Sequence, residues 1–296
     1  MKKCQWYPSP GPLARATLSR WERDFQMETT LHDRFLVMDG AMGTLIPSLQ
    51  KDSLNLTEPE LIQSIHRQYL EAGADIVKTN TFNSNRGPKD YALNVAGARL
   101  ARAAADEFTE PRYVAGAMGP GQDGNASVEA YFEQARGLVD GGVDLLLAET
   151  ITSIRTAQSA LTAFERLFMK TGRELPVLLS VTISRAGRLI SGESLDEFWN
   201  AVSGKRLYAV GINCGLGIKQ SRTSLERLSQ LAPVKISFHP SAGLPNAFGG
   251  YDETPEDFAA IMGNLAMQGL IDIAGGCCGT TPAHIQAISR ATIDLL

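Results

Sequence analysis

At 296 residues, with 44% hydrophobic and 20% charged residues, the chain is long enough for one large domain with a closed core or for two small ones. A formal net charge of −4 argues against a nucleic-acid or anionic-membrane partner, since both normally leave a basic face in the sequence. The longest apolar runs, DLLLAETI and PVLLSVTI, are strand-sized and far short of the ~20 residues that span a bilayer.

Residues 1–28 form an N-terminal extension with Pro8, Pro10 and Pro12. They carry an early basic pair, Lys2 and Lys3, but no continuous apolar stretch of the kind a secretory signal needs, which predicts a cytoplasmic protein. Residues 29–296 follow as a single domain. Apolar segments ending in small or polar clusters recur through it: FLVMDG (35–40), DIVKTNTF (75–82), RYVAGAMG (112–119), DLLLAET (144–150), LPVLLSVTI (175–183), YAVGINCG (208–215), VKISFHP (234–240) and IDIAGGCCG (271–279). Between them lie segments whose apolar residues recur at three and four positions, such as TEPELIQSIHRQYLEAG and TSIRTAQSALTAFERLF, as a helix covering a sheet requires. Thr57, ahead of Glu58 and Glu60, reads as a helix start. The alternation predicts an α/β fold, a (β/α)8 TIM-type barrel, over an open doubly wound sheet, and DGAMG has no G-x-G-x-x-G register.

In such a barrel the reactive side chains come from the C-terminal ends of the strands. Those ends supply Asp39, Asn80, the Gly119 turn, Glu149, Thr182, Asn213 with Cys214, His239, and Cys277 with Cys278. Cys4 apart, every cysteine of the chain therefore converges on one rim. Adjacent cysteines pair only through a strained ring, and three thiolates are a ligand set for zinc that leaves a fourth position open, as catalytic sites do. Gly275, Gly276 and Gly279 would let the backbone bend so that two consecutive sulfurs reach one ion. The competing reading is three small buried residues in a glycine-rich barrel, or a vicinal-thiol redox pair. Zinc held by three thiolates is a poor activator of water, but a fourth thiol can ionise on it and stay nucleophilic, which points to alkyl transfer to sulfur. Asp39 and Glu149 could hold a substrate ammonium, and the amides of Gly40, Ala41 and Met42 a carboxylate; otherwise the acids are a turn residue and an ion-pair partner. His239 reads as a rim hydrogen-bonding residue, and SAGLPNAFGGYDETP as a loop over the site.

VMDGAMGT, EAGADIVKTNTF, LLLAET, INCG, HPSAGLPNAFGGYDETP and GGCCGTTPAHI together resemble the homocysteine S-methyltransferase family, most closely its cobalamin-dependent methionine-synthase type, over residues of about 30–290. The resemblance implies a barrel with Zn2+ on Cys214, Cys277 and Cys278, and L-homocysteine seated on Asp39, its following amides and Glu149. It implies methylation of homocysteine to methionine, with methylcobalamin carried by a separate corrinoid protein, because the chain has no length for folate, cobalamin and reactivation modules. The alternatives it leaves are an S-methylmethionine-, other sulfonium- or betaine-dependent enzyme, and a non-catalytic homocysteine- or zinc-binding subunit. Two features depart from the pattern. Ser241 stands where many relatives carry an asparagine that could fill the resting fourth position on zinc, and GQDGNAS is a shorter loop than expected, which bears on how a methyl-carrying partner docks.

Overall fold

The computed structural model describes residues 34–46, 51–121 and 123–295, so the predicted extension 1–28 lies outside the described residues. The strands are β1 (Leu36–Val37), β2 (Ile76–Lys78), β3 (Tyr113–Met118), β4 (Leu145–Ile151), β5 (Val177–Val181), β6 (Ala209–Asn213), β7 (Lys235–His239) and β8 (Ile273–Ala274). All pair in parallel in the order β1-β8-β7-β6-β5-β4-β3-β2, and one parallel bridge, Met38 with Ile76, joins the last neighbours, β1 and β2. This is the predicted (β/α)8 barrel. β1 and β8 are much shorter than the runs predicted for them, because Asp39–Gly40 and Gly275–Gly279 leave the ladder to build loops at the strand ends.

Strand parity divides the core in two. Leu36, Met38, Ile76, Leu145, Leu147, Leu178 and Ile273 pack together with other inward residues as the plug of the barrel. Their neighbours one residue away, such as Val37, Val77, Leu146 and Leu179, join the larger cluster beneath the helices. A parallel sheet buried on both faces needs apolar residues at both parities, which is why the strands read as continuous apolar runs. At β6, Gly211 sits so close to Ser237 of β7 that a side chain there would collide with that residue's backbone and hydroxyl.

A repeated device closes the bottom of the barrel. Asp75, Asp144 and Asp272 each stand just before a strand, and each carboxylate accepts the amide of the neighbouring strand: Val37 at 2.8 Å, Val114 at 2.7 Å and Ile236 at 2.7 Å. Arg34 and Arg112 balance Asp75, and Arg102 balances Asp144.

After the short α1 (Met42–Leu45) and α2 (Leu54–Thr57), the outer helices are α3 (Pro59–Glu71), α4 (Tyr91–Ala105), α5 (Val128–Gly141), α6 (Ile154–Thr171), α7 (Leu195–Val202), α8 (Ile218–Leu231), α9 (Pro255–Met267) and α10 (Pro282–Ala291). Ser127, Ser153, Ser194 and Thr254 cap α5, α6, α7 and α9 through their side chains. Thr57 does not cap α3 as predicted: it ends α2, and its hydroxyl donates back to Ser53 O, leaving Glu58 as the uncapped boundary with Pro59 at the first turn. No described helix is long and apolar enough to cross a membrane.

Candidate metal and thiol site

The C-terminal ends of the strands enclose a cavity of about 790 Å3, lined by all three described cysteines and by Asp39, Lys78, Glu149 and Tyr251. That volume is in the range of small-molecule clefts. One wall is made of sulfur. Cys214 follows β6 with φ of 57°, and Gly215 after it has φ of 66°, so the chain leaves the strand through two left-handed residues. A non-glycine residue in that region is strained, and here the fold holds it: the Cys214 amide donates to His239 O at 3.1 Å and its carbonyl accepts from Leu216 N at 2.6 Å. The adjacent cysteines are stitched to the loop after β7, with the Cys277 amide on Pro240 O at 2.8 Å and the Ala242 amide on Cys278 O at 2.9 Å. Thr280 Oγ1 donates to Cys277 O at 2.7 Å and closes the turn.

The glycines around the pair serve different ends from the one expected. Only Gly279 has a left-handed φ, 82°. Gly275 and Gly276 are there for closeness: a side chain at Gly275 would press on His239 and the Asp39 carbonyl, and one at Gly276 would collide with Thr280.

The sulfurs of Cys214 and Cys278 lie 3.6 Å apart and those of Cys277 and Cys278 3.9 Å apart, with all three within 4.8 Å of one another. These separations are far beyond a disulfide and close to the edge of about 3.8 Å of a tetrahedron built on Zn–S bonds of about 2.3 Å. The donor set and its spacing therefore fit zinc. Within the metal-free cluster, hydrogen bonds from Cys214 and Cys277, aided by the Tyr251 hydroxyl, pull Cys278 down against the burial that opposes its charge. Hydrogen bonding to Cys214 and Cys278, with burial, pushes Cys277 up; for Cys214 the bond to Cys277 favours its thiolate, but the bond to Cys278 and burial together outweigh it and push Cys214 up to about 11.

The opposite wall is charged. Asp39 is buried; its Oδ2 accepts the Lys78 amide at 2.9 Å, while its Oδ1 lies 3.6 Å from Lys78 Nζ and has no hydrogen-bond partner among the described residues. Burial raises Asp39 to about 7 against the pull of Lys78. Glu149 is raised by burial and by Cys278, again opposed by Lys78. Lys78 donates from Nζ to Gly276 O at 3.2 Å; burial disfavours its charge, and Glu149 and Asp39 outweigh that so that its pKa is raised. Of the three amides predicted to seat a carboxylate, that of Ala41 is already engaged by Thr280 Oγ1 at 3.1 Å, while Gly40 and Met42 line the cavity beside it.

One side chain ties the walls together. Asn213, fully buried at the end of β6, accepts from the Thr150 amide at 2.8 Å and from Ser180 Oγ at 2.7 Å, and donates to Thr150 Oγ1 at 2.8 Å. Thr150 is the other described non-glycine residue with a left-handed φ, 58°. The residues beside this clamp are Glu149 on one strand and Cys214 on the other.

The structure thus brings together the predicted Asp39, Gly40, Ala41, Met42, Glu149, Cys214, Cys277 and Cys278 around one cavity. The rim role expected of His239 is not realised: it is fully buried, neither ring nitrogen has a partner among the described residues, and burial together with Lys78 keeps it neutral. The loop after β7 does reach the site, through Gly249, Gly250 and Tyr251. Ser241 is buried and does not line the cavity. Lys78 was missed, although the signal was in the sequence: in DIVKTNTF it shares parity with the inward-facing Ile76 at the C-terminal end of a strand.

Fold and site together define a (β/α)8 barrel protein with a three-thiol pocket at the catalytic face. The family model for homocysteine S-methyltransferase matches residues 36–292, and the chain belongs to that family. Among solved structures, the homocysteine methyltransferase MmuM from Escherichia coli in its apo form is 24% identical, with a TM-score of 0.69 over 90% of this chain and 99% of that one. Its metallated form is 23% identical, with a TM-score of 0.70 over 89% and 99%. The 3-hexulose-6-phosphate synthase from Salmonella typhimurium, 12% identical with a TM-score of 0.51 over 88% and 100%, shares the barrel.

Proposed function

We propose that the pocket is a zinc site at which the thiol of L-homocysteine is methylated to give methionine. The observation that carries this reading is the clustering of the Cys214, Cys277 and Cys278 sulfurs within 4.8 Å of one another, two of the separations close to a zinc–thiolate tetrahedron's edge, inside a cavity of small-molecule size. Zinc on three thiolates supplies an open position where an incoming thiol loses its proton near neutral pH and stays nucleophilic. The rest is done by the chain. Cys214 and the Cys277–Cys278 turn fix the sulfurs from two strands, so the acceptor sulfur has one direction of approach. Asp39 Oδ1 and Glu149 face the acceptor's ammonium, and the amides of Gly40 and Met42 its carboxylate. The burial of this floor excludes water, which keeps the sulfur as the competent nucleophile. The new S–CH3 bond forms as the donor's bond to carbon breaks, the electron pair leaves with the donor, and the acceptor's proton passes to solvent.

The donor we infer is methylcobalamin on a separate corrinoid protein; family membership and the name of the MmuM neighbours support homocysteine as acceptor and are equally consistent with a free sulfonium donor. Titration calorimetry of the zinc-loaded protein with L-homocysteine, in buffers of differing ionisation enthalpy, should show about one proton released per site. Full zinc occupancy without proton release would overturn the mechanism. Methionine formation with methylcobalamin, S-methylmethionine, S-adenosylmethionine and betaine in turn identifies the donor, and homocysteine binding without turnover on any of them assigns the chain to a binding subunit.

A further inference from the structure

The acidic floor that would receive an acceptor's ammonium already contains one. Lys78 points inward from the end of β2, its side chain only 11% exposed, with Nζ 3.2 Å from Gly276 O and 3.6 Å from Asp39 Oδ1. Glu149 is within electrostatic reach, and so is Cys277 on the sulfur wall. An ammonium has three donors, and one hydrogen bond is made to a described residue, so Lys78 keeps donors for the cavity it lines. Asp39 and Glu149 are both raised by burial, so the floor carries at most two negative charges, and Lys78 cancels one of them before any ligand enters. A second ammonium brought beside the first would be repelled by it in this poorly solvated pocket. The α-ammonium of an amino-acid acceptor therefore gains less here than between two unpaired carboxylates.

We propose that Lys78 is a specificity-determining residue that makes the acceptor's α-ammonium dispensable, so that the pocket takes ω-thiol carboxylic acids lacking an amino group as well as homocysteine. This inference rests on the zinc-thiol reading above. The acceptor's carboxylate and thiol remain its required groups: the thiol because the sulfur wall activates it, the carboxylate because the amides of Gly40 and Met42 receive it and the Lys78 ammonium on the same cavity wall adds a charged donor.

The test compares L-homocysteine with 4-mercaptobutyrate, the same molecule without its amino group, binding to the zinc-loaded full chain by calorimetry. No methyl donor is needed. In the wild type, removing the amino group should weaken binding less than about tenfold, whereas in K78M and K78Q, where the acidic pair stands open for a ligand ammonium, the penalty should grow at least about tenfold over the wild type. K78R should keep the wild-type ratio. Zinc content and thermal melting establish that each variant is folded, and K78Q serves where K78M is not. A wild-type penalty above tenfold, or one that does not grow in folded K78M or K78Q, overturns the role of Lys78 while leaving the zinc-thiol reading intact. If neither thiol binds the zinc-loaded wild type, both fall together.

Discussion

The sulfur wall and the charged wall of the pocket face each other but are built on different principles. The sulfur wall is held by backbone: the left-handed Cys214, the left-handed Gly279 and the bonds of the Cys277–Cys278 turn to Pro240 and Ala242 place the thiols where the chain goes. The charged wall is held by side chains buried against one another, with Asp39, Lys78 and Glu149 setting each other's charge. A wall fixed by backbone geometry has one arrangement and suits a metal. A wall fixed by mutual charge responds to what enters and suits the discrimination of ligands.

The largest effect that would test this contrast is loss of the metal. Replacing any one of Cys214, Cys277 or Cys278 by Ser should drop bound zinc from about one ion per chain to less than about a tenth after dialysis, measured by elemental analysis. The K78M change should leave zinc content as it is. A cysteine variant that retains zinc would remove the sulfur wall from the metal site.

A smaller effect is expected from Asn213→Ala, which orphans the half-buried Thr150 amide and the buried Ser180 hydroxyl and releases two residues beside the site. Unfolding in urea should show a loss of about 2–4 kcal/mol, with reduced homocysteine binding in the fraction that folds. Unchanged stability would mean that the strained Thr150 does not depend on this clamp.

The smallest is a pH dependence confined to the charged wall. Burial raises Asp39 from 3.8 to about 7, so the folded protein keeps a proton that the unfolded chain releases across that interval. The stability from this group is fully present below pH 3.8 and is lost as pH rises toward 7. In the zinc-free protein, Asp39→Asn should flatten the fall in stability over this window. Parallel curves for the two proteins would show that Asp39 ionises as freely folded as unfolded.

How far each wall was legible follows from how it is made. Cysteine is rare in this chain, and three of them at strand ends announce themselves, so Cys214, Cys277 and Cys278 could be placed together before any coordinates. The barrel was equally plain from its eight apolar runs. Asp39 and Glu149 were visible as acids at strand ends, but their charge balance was not, because it depends on Lys78, whose inward direction is a matter of strand parity. α10 went unpredicted as a helix, although its start lies in the quoted GTTPAH, where Thr281 and His284 cap each other. The Asn213 clamp could not be read at all, since it joins residues 63 apart through a backbone conformation that no residue type signals.

Asp39 has a second attachment whose consequence reaches beyond binding. Where β1 and β2 meet, the ladder has a single bridge, and the Oδ2 of Asp39 takes the Lys78 amide that a longer strand would have bonded. One oxygen of this carboxylate thus completes the cylinder while the other, 3.6 Å from Lys78 Nζ, has no hydrogen-bond partner among the described residues. The seam of the barrel and the floor of the pocket share one residue, and a ligand that loads Asp39 also pulls on the join that keeps the cylinder shut.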